Sequence, residues 1–340
     1  MIPVPNRSGI LCGGAWCVDR NITLNFWPRQ ETVATVLAQT DFGGCPGHNM
    51  ASALKRLGAP FPVEAQGLVG DDEFGYLLFR ICDELGIKRD LLEMRPGIAT
   101  SLTLAMTPQD TGKRTFFHYP NALALQSPDD FDFSHTQARI LHMGLPGLHA
   151  ILDAPWKGEA SGWVAVLKKA RAAGLQTNME LVSIEPQIIR ATAETFLPFL
   201  DMLVINDEEV GAIAGVETVP GGKTDPNAVR IAAAAIMQRF PLQLIAVHYP
   251  LGGLVLTRRG EAAEHPSVNV PVAEVKGSNG AGDCFAAGIL IGQHEGWPIL
   301  QSLKLAHAAA AMSLRSTTTT AAVENWQACL NQAEIWGWRN

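Results

Sequence analysis

Residues 277–283, Gly277-Ser278-Asn279-Gly280-Ala281-Gly282-Asp283, place a carboxylic acid where a glycine-rich turn becomes a helix. The first backbone N–H groups of a helix have no intrahelical acceptor. With the positive end of the helix dipole they make an anion site, and glycine lets a bulky anion come close to the backbone. An acid beside that site can take a proton from a hydroxyl attacking a bound phosphate, while the N–H groups absorb the developing charge. The competing reading of Asp283 is a first-turn acid favoured by the dipole alone. The chemistry needs a strand before the turn and a helix after it. Residues 268–275 alternate as a strand does, and residues 285–293 are small and apolar, as in a buried helix.

Other residues have types and positions suited to a substrate. Residues 10–19 read as a buried first strand ending in small residues and Asp19. Acids just past the carboxyl end of a parallel strand face the ligand crevice, so Asp19 is a candidate for binding substrate hydroxyls, an N-cap or turn role being the alternative. A second glycine-rich loop, with Gly43, Gly44, Gly47, His48 and Asn49, runs into a helical pattern over 50–58. Asn49 offers both donor and acceptor to a polyhydroxylated molecule; His48 reads as a surface or packing histidine. Residues 100–106 and 113–119 flank a turn and form a hairpin signature, which with a strand at 22–26 makes a small sheet apart from the core. Its Phe116, Phe117 and Tyr119 leave apolar surface exposed unless something covers it. A lid over substrate or a dimer contact would do so, and His118 and Asn121 would then reach substrate.

The rest of the chain must hold these groups. A strand is expected at 63–69 and a helix at 72–85, with Gly70-Asp71-Asp72 as its cap. From residue 140 strands and helices alternate: strands at 140–143, 175–180, 202–205, 244–248 and 254–257, and helices at 161–173, after Pro186, at 208–214, 228–240 and 303–314. Such alternation predicts a parallel sheet covered on both faces. The 340 residues have ample core material, with 47% apolar and 17% charged residues and a net charge of −7. That charge argues against a general nucleic-acid surface. No run is long enough to span a membrane, and residues 1–14 lack the pattern of an export signal. The six cysteines have no zinc-site spacing and read as reduced thiols in a cytoplasm. Cys284, next to the candidate base, reads first as a packing residue. Gly222-Lys223-Thr224 resembles the end of a Walker A loop, but Glu217 stands where its first glycine belongs. A dinucleotide turn after the first strand is also missing.

Taken together, these segments resemble the ribokinase family of carbohydrate kinases, of the phosphofructokinase B type. Gly43-Gly44 with Asn49, Ala51 and Leu57-Gly58 is similar to the family's first signature. Gly280-Ala281-Gly282-Asp283 with Phe285 and Gly288 matches its second. Gly70-Asp71-Asp72 with Gly75 and Asn206-Asp207-Glu208-Glu209 resemble two shorter motifs. The resemblance spans nearly the whole chain. It implies one α/β kinase domain over 1–340, a three-layer α/β/α sandwich with a mostly parallel central sheet. Segments at about 20–42 and 98–121 would form a small β-sheet lid. The implied reaction is transfer of the γ-phosphoryl group of ATP to a hydroxymethyl group of a sugar or sugar-like molecule. A nucleoside kinase of the same fold and a non-catalytic ligand-binding relative are the alternatives.

On this resemblance Asp283 is the general base, and the Gly280, Ala281 and Gly282 amides form the anion hole. Asp19, Gly43, Gly44 and Asn49 meet the sugar. Asn206 and Glu209 hold the Mg2+–phosphate assembly, Glu209 as the metal's carboxylate. His248, Gly253, Ser278 and Asn279 border the nucleotide. The lid excludes water and is the surface for a homodimer. The chain departs from the family pattern at Gly277-Ser278, where Asp-Thr is usual and helps build a monovalent-cation site, so a role for K+ is in question. Pro250 departs from a usual glycine beside the nucleotide loop. Trp16 is read either as stacking on a sugar face or as packing.

Overall fold

The computed structural model describes residues 7–182 and 184–339; the reading of the first residues as free of an export signal falls partly outside them. Thirteen strands form two sheets among the described residues. They are Ile10–Cys12 (β1), Cys17–Leu24 (β2), Val36–Gly44 (β3), Val63–Gly70 (β4), Lys88–Arg95 (β5), Ser101–Pro108 (β6), Thr115–Tyr119 (β7), Ile140–Met143 (β8), Gln176–Met179 (β9), Met202–Asn206 (β10), Leu244–Tyr249 (β11), Gly252–Thr257 (β12) and Ala262–Pro266 (β13). The larger sheet has the order β13-β12-β11-β10-β9-β8-β1-β4-β5. It is parallel from β11 to β5 and antiparallel at β11–β12 and β12–β13. Every residue of β1, β4 and β8 is buried, as expected for parallel strands covered on both faces. One face packs on the helices Cys45–Arg56, Ala281–Glu295 and Ile299–Ser313. The other packs on Gly162–Ala172, Pro186–Phe196 and Pro226–Arg239. The result is the three-layer arrangement expected from the sequence.

The smaller sheet, β3-β2-β6-β7, stands apart from the main one. Its outer aromatic residues Trp27, Phe116, Phe117 and Tyr119 are exposed, with Trp27 stacked on Phe117. Asp72 fixes one end of this sheet to the body. As N-cap it accepts from Gly75 N, and it also takes the backbone N–H and hydroxyl of Thr100, just before β6.

Three expectations are corrected. Residues 10–19 are not one strand: the chain leaves the main sheet after Cys12, turns through Gly14 at φ 86°, and enters the small sheet at Cys17. Asp19 therefore sits within β2 of the lid, not past the end of a parallel strand. Residues 268–275 are not a strand either. Val268 makes one bridge to Trp338, Pro271 interrupts further pairing, and residues 272–274 form a 3-10 turn. Strands β5 and β13 and the helix Trp326–Trp336 had no counterpart in the sequence reading, whereas β3 falls largely within the segment at about 20–42 expected to join the small sheet. Trp16 packs: it is fully buried, edge-on to His48.

Candidate active site

The helix Ala281–Glu295 begins where Gly280, at φ 80° and ψ 2°, turns the chain in a left-handed conformation. Only glycine takes this up without a penalty. The first-turn amides of Gly282 and Asp283 follow; that of Ala281 turns back to the Ser278 carbonyl at 3.3 Å. Two cavities meet at this helix mouth. The first, about 530 Å³, is lined by Asp19, Asn49, Thr103, His118, Glu180, Asn206, Glu209, His248, Asn279, Gly282 and Asp283, with an apolar wall that includes Phe116, Leu145, Leu148, Leu181 and Val182. The second, about 450 Å³, has Ser278 and Ala281 on its floor and Tyr249, Pro250, Val268, Val270, Ala310, Ala311 and Leu314 around them. Asn206 and His248 line both.

Asp283 is held from the first-loop helix. Asn49 Nδ2 donates to Asp283 Oδ2 at 3.0 Å, and Asn49 Oδ1 accepts the Thr319 hydroxyl at 2.8 Å. Asn49, expected to meet substrate, thus orients the Asp283 carboxyl. Burial above all, then the charge and hydrogen bond of Glu180, hold the Asp283 carboxyl well above the usual carboxylate range. Asp19 reaches the same cavity from the lid. Burial pushes it up to about 6, against hydrogen bonds from Cys17, Thr103 and Asn279, with the Asp283 charge adding to the rise. Gly44 makes that placement possible, since an added Cβ would lie 2.3 Å from Asp19 Cγ. Gly43 is closed in the same way by the His48 ring, and His48 is a buried packing residue.

The remaining candidates divide. His118 lines the first cavity and hydrogen-bonds the Thr103 hydroxyl at 3.0 Å. Asn121 is spent on structure, its amide donating to the Thr100 carbonyl at 3.0 Å, and it does not line the cavity. Asn206 caps the helix Asp207–Ala214 in a reciprocal box with Glu209, which turns both toward the first cavity. His248 lies against Gly282, and burial brings it down to about 4, so it is neutral near pH 7. Gly253 sits behind His307 and lines neither cavity. Ser278 faces the second cavity and Asn279 the first. At Gly277 the lid crosses to the body. Arg114 Nη2 reaches the Thr317 carbonyl at 3.4 Å, and a Cβ on Gly277 would lie 2.7 Å from that nitrogen. Cys284 is fully buried, so it packs. Thr224, of the Walker-like segment, bonds Asp207 and lines neither cavity.

Three residues at the site escaped the sequence reading. They are Glu180, read only as the end of the strand at 175–180, His142, read only within the strand at 140–143, and Thr319. Glu180 carried a usable signal, because it directly follows parallel strand β9.

The oxygen donors at Asn206 and Glu209 suit a hard cation that keeps most of its water. No group of three or more acidic, His or Cys residues able to hold a metal occurs among the described residues. No helix among them is long and apolar enough to cross a membrane.

Known proteins resemble this chain in sequence and in fold. The chain is 29% identical over 257 residues to the probable fructokinase-6 (chloroplastic) of Arabidopsis thaliana, a match covering 73% of this chain and 61% of that protein. It is 26% identical over 257 residues to a fructokinase of Klebsiella pneumoniae, covering 74% of this chain and 76% of that one. Its fold superposes on an Arabidopsis thaliana ribokinase, solved with ribose and ATP, with a TM-score of 0.76 at 18% identity over 96% of this chain and 99% of that one. The profile of the pfkB family carbohydrate kinases matches residues 10–326, and the chain belongs to that family.

Proposed function

We propose that this chain transfers the γ-phosphoryl group of ATP to a hydroxymethyl group of a neutral sugar or sugar-like molecule. The observation that carries this reading is the place of Asp283: at a helix mouth where the two cavities meet, with Gly282 beside it in the wall of the first, and in that same wall with Asp19 and Asn49. The first cavity takes the substrate. Its hydroxyls meet Asp19, Asn49 and His118, and the acceptor hydroxyl meets Asp283. The second cavity, largely apolar with polar groups toward the turn, takes the nucleotide, so the terminal phosphate reaches the first-turn amides of Gly282 and Asp283, the Ala281 amide being held by the Ser278 carbonyl. Mg2+ at Asn206 and Glu209 would neutralise phosphate charge.

In the reaction Asp283 accepts the hydroxyl proton as the oxygen attacks phosphorus, and the helix-mouth amides stabilise the charge on the transferring group. The lid sheet covers the cavity and keeps water from competing as acceptor. The four acids of the cavity, Asp19, Glu180, Glu209 and Asp283, disfavour an anionic sugar. Its apolar wall, Leu145, Leu148, Leu181 and Val182, favours a nucleoside as the second reading.

The test is a melting scan and an ADP-release assay with Mg2+–ATP and a panel of neutral sugars, sugar acids and nucleosides. A ligand at about 100 times its Kd stabilises by ~2.7 kcal/mol, which for a chain this size is a rise of several degrees, on the order of 2–4 °C per kcal/mol. Silence in both assays across the panel would overturn the proposal. Turnover of a sugar acid in preference to its neutral counterpart would overturn the charge argument.

The Arg114 guanidinium supplies a fixed positive charge over Gly277, where a monovalent cation would otherwise gather. Exchange of K+ for Na+ is therefore expected to leave turnover unchanged at constant ionic strength. A several-fold activation specific to K+ would show that the turn binds the ion after all.

A further inference from the structure

Glu180 and Asp283 both line the first cavity and act on each other through charge and a side-chain hydrogen bond. Two carboxylates cannot both stay charged in such a place, so they must hold a proton between them. The hydrogen bonds around them say where it rests. Asn178 Nδ2 donates to the Met202 carbonyl at 3.3 Å, which turns Asn178 Oδ1 to His142 Nδ1 at 2.7 Å. His142 Nδ1 must then carry the ring proton. Burial lowers His142 to about 4, so the ring is neutral near pH 7 and its Nε2 is a bare acceptor. That nitrogen has no hydrogen-bond donor and faces Glu180 Oε2 at 3.5 Å. Glu180 thus has an acceptor nitrogen on one side and the Asp283 carboxyl on the other. Asp283 already receives a donor, the Asn49 amide.

We propose that Glu180 is held as a carboxylic acid that shares its proton with the Asp283 carboxylate, making it a positioning residue that poises the base. The role rests on the kinase reading; the pair itself does not. A substrate hydroxyl reaching Asp283 gives its proton to the carboxylate as its oxygen bonds to phosphorus. The bond from phosphorus to the leaving oxygen of ADP breaks, and ADP keeps the electron pair. The pair then carries two protons and returns one to solvent when product leaves.

The pair does not titrate in isolation. Asp19 of β2 and Glu209 of the helix Asp207–Ala214 add negative charge, on Asp283 and Glu180 respectively. Burial keeps His142 and His248 neutral, and pushes the Cys12 and Cys284 thiols up into their uncharged form. Arg114 acts on Asp19. Burial, with Glu209 adding to it and the Asp283 hydrogen bond opposing, pushes Glu180 up to about 7. Both carboxyls thus bind protons more tightly folded than unfolded. Their favourable contribution is complete at low pH and is lost as pH rises through the folded range.

Melting curves of the whole chain from about pH 5 to about pH 9, without ligand, test the pair directly. Relative to wild type, Glu180→Gln and Asp283→Asn are each expected to gain on the order of 2–4 °C at the alkaline end and little at the acid end. A pH-independent offset in Glu180→Gln would overturn proton sharing, and so would a gain confined to Asp283→Asn. With any substrate the panel yields, Glu180→Gln should move the acid limb of the kcat/KM profile about one unit lower, and Glu180→Asp should restore it. An unmoved limb would overturn the poising role. Because the melting curves need no substrate, a silent panel would count against the kinase reading and leave the pair standing or falling by itself.

Discussion

Asp283→Asn is expected to lower turnover by roughly 10²–10⁴-fold, the usual worth of a positioned general base, with little change in nucleotide affinity. The replacement keeps the shape of the side chain and can still meet the Asn49 amide through its oxygen. What disappears is the capacity to take a proton at the point where the two cavities meet. The split between constants is the informative readout: a base used only in the transition state affects kcat and kcat/KM together, whereas a binding group affects KM. The variant also removes one of two facing buried carboxyls, so loss of fold cannot account for the lost rate if its alkaline melting point rises. A variant as active as the wild type would exclude Asp283 as the base, and the function would have to be rebuilt on the cavities alone.

The sequence made the helix mouth legible because its signal is local. Glycines that permit a left-handed turn, an acid in the first helical turn and a small apolar helix behind it lie within twelve residues. The alternating strands and helices after residue 140 were legible for a similar reason, since buried parallel strands are short apolar runs. Strands β5 and β13 lie at the two edges of the main sheet and carry charged residues, such as Lys88, Arg89, Asp90, Glu93 and Glu264. They lack the apolar pattern that marks a central strand. Residues 268–275 misled in the opposite sense: Val268 and Val270 are buried, but Val272 and Val275 are exposed, and the alternation reflects packing without a ladder.

The principle that acids beyond parallel strands face the ligand was sound and was applied to the wrong residue. Asp19 reaches the cavity from the lid, whereas Glu180 is the acid that follows a parallel strand. Nothing local reveals that Glu180 meets an acid some hundred residues away in the chain, nor that His142 backs it. The backing of Glu180 by His142 is made by β8 and β9 lying side by side in the main sheet, and its meeting with Asp283 by the end of β9 and the mouth of the helix Ala281–Glu295 reaching one cavity. Thr319 was hidden in the same way, its function being a hydrogen bond to Asn49 across 270 residues.

Gly280→Ala tests the anion hole as Asp283→Asn tests the base, and its expected loss is of similar size, ~10²–10³-fold in kcat. Two costs coincide at this position. A side chain at φ 80° is penalised by roughly 1–2 kcal/mol, and the added Cβ would fall 2.6 Å from Thr319 Cβ and 2.7 Å from the Thr319 carbonyl oxygen. Those atoms belong to the core of a residue that cannot swing aside, so the turn itself must move. Thr319 holds Asn49 and Asn49 holds Asp283, so the displacement reaches the base as well as the amides. Gly296→Ala, at the other end of the same helix, is the control: it has a similar left-handed backbone at φ 69° with nothing within 4 Å of its Cβ, and it is remote from both cavities. If kcat and melting temperature are measured for both, Gly280→Ala should lose far more rate than its loss of stability explains, and Gly296→Ala should lose some stability but little rate. Equal and mild effects would mean that phosphate is not gripped at this turn, and the anion hole would have to be sought elsewhere along the two cavities.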